Sequence, residues 1–216
     1  MKENVVQCFK DLIRRKVDFR RLAAICGAEA PSVTPPPIMN AGSSEAGHTF
    51  SAKYADMNFA MLRQRVEDSD SAQITHLKNM TNDLGRTSQC WIHVYVVCRK
   101  SEQEARDYLN HYVIEKGDDV AVNNMLDIFG VQSSTLSRDV IEAFRFHFKA
   151  GHGGYPLIGT PEQIVTDIER LSRMSVDGLL ISWVDYLREC RQWIDEVLPL
   201  MEEAGQRQPC KPTNDY

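Results

Sequence analysis

No stretch of this 216-residue sequence approaches the roughly 18 consecutive apolar residues that a membrane-spanning helix needs. It also has no basic block: Lys and Arg total 25 against 30 Asp and Glu, a formal charge of -5. That balance excludes the electrostatic footprint of a nucleic-acid surface and a polybasic membrane anchor. The opening Met1-Lys2-Glu3-Asn4 leads into mixed charge and not into an apolar signal core. A cytoplasmic protein is therefore expected, with neither nucleic acid nor membrane as partner. Cysteine is sparse: the six residues at 8, 26, 90, 98, 190 and 210 form no C-x-x-C pair and have no His at zinc spacing. They read as buried or surface thiols of a reducing compartment, with no metal site. No repeat recurs at a period of about 20–50 residues, which excludes a solenoid. What remains is a globular composition, 43% apolar and 25% charged, of a size for one domain of about 150 residues and an appendage.

Periodicity divides the chain. Val6, Phe9, Ile13 and Val17 recur at helical spacing, which predicts a helix over 5–27. The Pro-rich stretch 28–37 cannot continue it. From Pro37 the pattern becomes short apolar strands alternating with helices. Strands are predicted over 37–42, 55–61, 91–98 and 177–183, the third being the richest in aromatic and β-branched residues. Helices are predicted over 43–54, then with Ile74, Leu77 and Met80 on one face, and then behind a capping box at Ser101-x-x-Glu104, with Ala105, Leu109, Tyr112 and Val113 inward. The stretch 119–150 reads as helix interrupted at Gly130, and 151–156 (GHGGYP) as a loop. Thr160-Pro161-Glu162-Gln163 is a complete helix start, followed by the stripe Ile164, Val165, Ile168 and Leu171. A last helix over 187–203 is expected to turn Cys190, Ile194, Val197 and Met201 inward. Strand–helix alternation with near-continuous apolar strands implies an α/β fold with a parallel sheet covered by helices. Three segments result: 1–34, a helix and Pro-rich linker; 35–207, the α/β body; and 208–216, a polar tail.

The most informative stretch is Asn40-Ala41-Gly42-Ser43-Ser44-Glu45-Ala46-Gly47. A strand ends, Gly42 allows a tight turn, and two hydroxyl residues open a helix. Helix N-termini expose unpaired N–H groups and the positive end of the dipole, which suits a phosphate. On the residues alone, Ser43 or Ser44 serves either as a plain N-cap or as a phosphate ligand.

The segment PPPIMNAGSSEAGHTFSAKYADMNF, with GHGGYPLIGTPEQIV, DGLLISWVDY and EVLPLMEEAG in order behind it, resembles the luciferase-like flavin-dependent monooxygenases. The branch is that of dimethyl-sulfone, alkanesulfonate and pyrimidine monooxygenases, and the resemblance runs from about residue 35 to 207. It implies a TIM-barrel-like α/β fold of which this chain carries the C-terminal half, strands five to eight, since a closed barrel takes roughly 250 residues. It implies an FMN-dependent monooxygenase (an oxidoreductase and flavoprotein) that uses reduced FMN and dioxygen to oxygenate a small organic substrate, organosulfur and heterocyclic molecules being among those that fit. The reduced FMN would come from a separate flavin reductase. The same resemblance places Gly42, Ser43 and Ser44 at the FMN phosphate and Asn40 at the strand end facing the flavin. His152, in the Gly-rich loop, and Trp183, at the end of the last strand, are the pocket candidates.

Residues 1–34 show no resemblance to the front half of that family. A homo-oligomer or a complementing N-terminal half is therefore expected as partner. Two other readings stand beside the enzyme: a non-catalytic half-barrel that serves as a partner-binding or assembly module, and a phosphate-ligand binder on an unrelated parallel sheet. His93 reads first as a hydrogen-bonded core histidine and second as a group near a substrate. Asp185 and Tyr186 follow Trp183 and read as a cap of the last helix. His48 reads as surface, and Glu67-Asp68-Ser69-Asp70 as a solvated start of a helix.

Overall fold

The computed structural model describes residues 36–62, 67–128 and 138–209; the first predicted helix, Cys8, Cys26, Gly130 and Cys210 lie outside them. Two compact units result, one of residues up to Phe59 with Thr75–Cys90, the other of Ala60–Ile74 with residues from Trp91 onward.

In the first unit β1 (Met39–Asn40) pairs in parallel with β2 (Met57–Ala60), Met39 opposite Met57 and Asn40 opposite Asn58. Between them runs α1 (Glu45–Tyr54), capped by Ser44, one of the two serines that the sequence offered. Its C-terminal carbonyls are also capped: Arg86 donates to the carbonyls of Ala52 and Ala55, the latter at 2.8 Å. A buried polar chain holds α1 from the inside. Ser51 donates to Asn58 Oδ1, Asn58 Nδ2 to Ser88 Oγ at 2.9 Å, Ser88 to Thr81 Oγ1 at 3.0 Å and Thr81 to the Leu77 carbonyl at 3.2 Å. Ser51, Asn58 and Thr81 are buried, so each group needs the partner it has.

The helix α2 (Glu67–Asn82) corrects one expectation. Asp68 and Ser69 are exposed, but Asp70 is 1% exposed, because it lies one turn before the fully buried Ile74 on the same helical face.

In the second unit β3 (Gln89–Cys98) has β5 (Gly178–Ser182) along its first half and β4 (Tyr155–Gly159) along its second, all parallel. The parallel α/β class holds. The strand β4 was not expected, and its first two residues, Tyr155 and Pro156, lie in the stretch 151–156 expected as a loop. Pro156 disguised it: proline has no N–H for a sheet ladder and is tolerated where one side of the strand carries the pairing. Tyr155 and Leu157 are nonetheless buried against the core. The helices are α3 (Glu102–Asn110), α4 (Asp119–Ile128), α5 (Arg138–Gly151), α6 (Pro161–Arg173), α7 (Tyr186–Gln192) and α8 (Leu198–Glu203). At α6 the Thr160 side chain takes the Gln163 N–H and the Gln163 side chain takes the Thr160 N–H, and all four residues of the predicted stripe are buried. One core cluster gathers Tyr95 and Val97 of β3 with Ala105, Leu109, Val113 and Ala150.

Two π-helical turns interrupt the helices, His111–Glu115 after α3 and Trp193–Val197 between α7 and α8. The second shifts the expected face of the last helix. Trp193 is 5% exposed and Val197 fully buried, while Ile194, predicted inward, is 53% exposed. One extra residue in the turn breaks the regular 3.6-residue count on which the prediction rested.

Candidate functional site

The first unit builds a tight turn ahead of α1. A Cβ on Gly47 would stand 2.9 Å from the Gly42 backbone, and one on Gly42 would stand 3.0 Å from Gly47 Cα. Only two glycines allow this crossing. Asn40 fastens it, its Nδ2 donating to the Gly47 carbonyl at 3.3 Å. Ser44 accepts from the Gly47 N–H at 3.1 Å, the N-cap bond, so its hydroxyl oxygen is engaged in the helix. Ser43 is exposed. The first N–H groups of α1, those of Glu45 and Ala46, belong to the helical turn whose donors find no carbonyl within the helix. These donors, the exposed Ser43 hydroxyl and the dipole end fit a phosphate monoester, the polar end of FMN. The Glu45 carboxylate opens the same turn and opposes an anion there. His48 is half-buried, not fully on the surface, with its ring 6.4 Å from that of His76.

The second unit brings another set together, from the middle of β3 and the end of β5. His93 Nε2 lies 2.9 Å from Ser182 Oγ, and Ser182 donates to the Val94 carbonyl at 3.3 Å. That leaves the serine oxygen to accept from Nε2–H. Burial first, and the charge of His152 second, hold His93 below its ordinary pKa. Gly154 makes room for the imidazole: a Cβ there would stand 3.0 Å from Nδ1. His93 is thus a hydrogen-bonded, half-buried histidine, and Ser182 is the partner that the sequence did not reveal. Strand parity could have suggested it, since Ser182 and His93 occupy diagonal positions of one face.

His152 is exposed at the end of α5, in left-handed backbone with φ 53°, and its ring lies 4.6 Å from that of Phe148. Trp183 follows β5 directly. Its ring meets Tyr186 edge-on at 5.6 Å and Trp193 at 6.0 Å. The indole Nε1 is buried and has no hydrogen-bond partner. Asp185 caps α7, accepting from the Arg188 N–H at 3.2 Å, as expected. Cys90 and Cys98 are buried and Cys190 is half-buried. Burial, assisted by the Glu196 carboxylate, pushes the Cys98 thiol up to about 11, which makes it a poor nucleophile at neutral pH.

Sequence reasoning missed a second cluster behind Trp183. Glu189, 6% exposed, accepts from Arg99 Nη2 at 2.8 Å, from Val184 N–H at 3.0 Å and from Asp185 N–H at 2.9 Å. No helix among the described residues is long and apolar enough to cross a membrane.

Comparison with known proteins gives a consistent result. The family model described as luciferase-like monooxygenase matches residues 3–178, which includes part of the N-terminal segment in which no resemblance was read. The FMNH2-dependent dimethylsulfone monooxygenase of Pseudomonas fluorescens (strain Pf0-1) is 25% identical over 179 residues, 78% of this chain and 47% of that protein. The sulfoquinovose monooxygenase of Agrobacterium fabrum is 27% identical over 135 residues, 56% of this chain and 35% of that protein. The chain therefore spans less than half the length of these two curated relatives. Among solved structures, DmoA from Hyphomicrobium sulfonivorans superposes with a TM-score of 0.66 at 19% identity, over 82% of this chain and 44% of that one.

Proposed function

The chain belongs to the luciferase-like monooxygenase family, and from that premise we propose that it carries the phosphate-binding part of an FMN-dependent monooxygenase. The fold is that of part of the family's α/β barrel. Reduced FMN, when bound, supplies the electrons with which dioxygen is activated to oxygenate a small organic substrate. The contribution of this chain is to bind and orient. Ser43 and the first N–H groups of α1 hold the phosphate, Gly42 and Gly47 let the backbone close around it, and Asn40 fixes the turn. Ser44 supports the same site from within the helix. His152 and Trp183 belong to the pocket side of the second unit, with His93 as a neutral hydrogen-bonding group at neutral pH. An organosulfur or heterocyclic substrate, a separate flavin reductase as electron source and a cytoplasmic setting complete the reading, together with a homo-oligomer or a complementing front half. The observation that carries it is the Gly42–Gly47 crossing at the head of α1 in a chain of this family.

Titration calorimetry with FMN, and with inorganic phosphate, tests the reading. Both are expected to bind. Ser43→Ala is expected to weaken binding by about 1–3 kcal/mol, the scale for a hydrogen bond to a charged group, while thermal stability stays the same. Absence of affinity for either anion would remove the site.

A further inference from the structure

Trp183 raises a question of orientation. Its one polar atom makes no hydrogen bond, so nothing polar in the side chain itself fixes where the ring stands. Its neighbours Val184 and Tyr186 are exposed and offer little enclosure, at 49% and 57%. The ring must be set by the backbone that follows it and by its contacts with Tyr186 and Trp193.

That backbone is held by one carboxylate. Glu189 Oε2 takes the two consecutive N–H groups immediately after Trp183, those of Val184 and Asp185. Its other oxygen takes Arg99. Arg99 is itself anchored three times, twice at the ends of strands and once on α3: Nη1 donates to the Cys98 carbonyl at 2.6 Å, its backbone N–H donates to the Gly159 carbonyl at 3.0 Å, and its guanidinium lies 3.8 Å above the Tyr108 ring. The ends of β3 and β4 and the chain leaving β5 are thereby tied at one point. Bonds to ionised groups are shorter and stronger than neutral ones, and a carboxylate this deeply buried needs each of them. An ordinary cap of α7 would not need Arg99, because Asp185 already supplies the side-chain cap.

We propose that Glu189, braced by Arg99, is the positioning residue of the loop that carries Trp183, fixing the angle at which the indole faces the end of the strands. Its meaning for catalysis rests on the reading of Trp183 as a pocket residue; the positioning itself does not.

The test uses the full chain labelled with 5-fluorotryptophan. It has three tryptophans, at 91, 183 and 193, and Trp183→Phe identifies the resonance of interest. In Glu189→Gln the Trp183 fluorine signal is expected to shift or split into exchanging lines well below the unfolding temperature, with the Trp91 signal unmoved. Arg99→Lys keeps the bonds from Glu189 to the loop and is expected to move the same signal in the same direction by less. An unmoved Trp183 signal in folded Glu189→Gln, with only a lower melting temperature, would reduce Glu189 to a helix cap and overturn the proposal. Should that variant not fold, an unmoved signal in Arg99→Lys overturns it equally. FMN titration of the same samples separates the two ideas: a moved signal in a chain that never binds FMN keeps the positioning and removes the flavin site.

Discussion

His93 reaches across the β3–β5 pair to Ser182, two residues beyond the direct register partner Leu180 and on the same face. The bond joins two polar side chains within an otherwise apolar pair of strands. It has a consequence for pH. His93 in the folded chain holds its proton less tightly than in the unfolded chain, because burial and His152 both disfavour the charged ring. Its contribution to stability is therefore complete above the ordinary histidine value of about 6.5 and is lost as pH falls through the depressed folded value. Thermal unfolding followed from about pH 7.5 to about pH 5.5 is expected to show a falling melting temperature. His93→Gln, which stays neutral, should flatten that slope; an unchanged slope would assign the effect to other groups.

Ser44 and Ser43 should separate cleanly. Ser44 caps α1 through Gly47 N–H, so Ser44→Ala is expected to cost about 0.5–2 kcal/mol of stability in urea unfolding. Ser43→Ala is expected to leave the urea midpoint in place and to act on phosphate affinity alone. The reverse assignment would mean that the cap and the anion site have been exchanged.

Asn58 has only one useful orientation, accepting from Ser51 and donating to Ser88. Asn58→Asp removes the donor and buries a carboxylate. A loss of about 1–3 kcal/mol is expected at neutral pH. Acidification should restore part of it, because a protonated carboxyl can donate to Ser88 again. Urea curves at neutral and mildly acidic pH decide this, and equal losses at both would count against the chain of donors.

Glu45 stands in the first turn of α1, where an anion would sit. Glu45→Gln is expected to tighten phosphate and FMN binding several-fold at low salt, and the gain should shrink as salt rises. The same change should lower helix stability slightly, since a carboxylate favours this end of the dipole. Calorimetry in two salt concentrations gives both signs in one series.

Much of this was legible in the sequence for a physical reason: caps are local. Ser101 before α3 and Thr160 before α6 need only a few residues to be recognised, and each accepts the predicted N–H; at α1 the sequence offered Ser43 or Ser44, and the fold caps with Ser44. Long apolar strands were equally plain. β4 was not, because Pro156 and flanking glycines look like a loop until the parallel partner in β3 is known. The turn at Gly42–Gly47 could be found by composition, but its fastening by Asn40 is a bond over seven residues whose geometry only the fold supplies. Arg99 and Glu189 lie ninety positions apart, and no local pattern links them. Asp70 shows the opposite error: a run of acidic residues suggests solvent, yet helix phase buries one of them.

The π turn at Trp193–Val197 has a bearing on how this helix tolerates change in length. A widened turn is what an α-helix becomes when it accommodates one inserted residue. Ile194, Asp195 and Glu196 face outward in that turn, and Trp193 and Val197 face inward. Deleting Ile194 would leave those two spaced by three, a separation that ordinary helix geometry also places on one face. The inward placement of these two residues is thus expected to survive the loss of a single residue at this point. Elsewhere in the chain, as in the stripe of α6, the same edit would turn buried residues out to water.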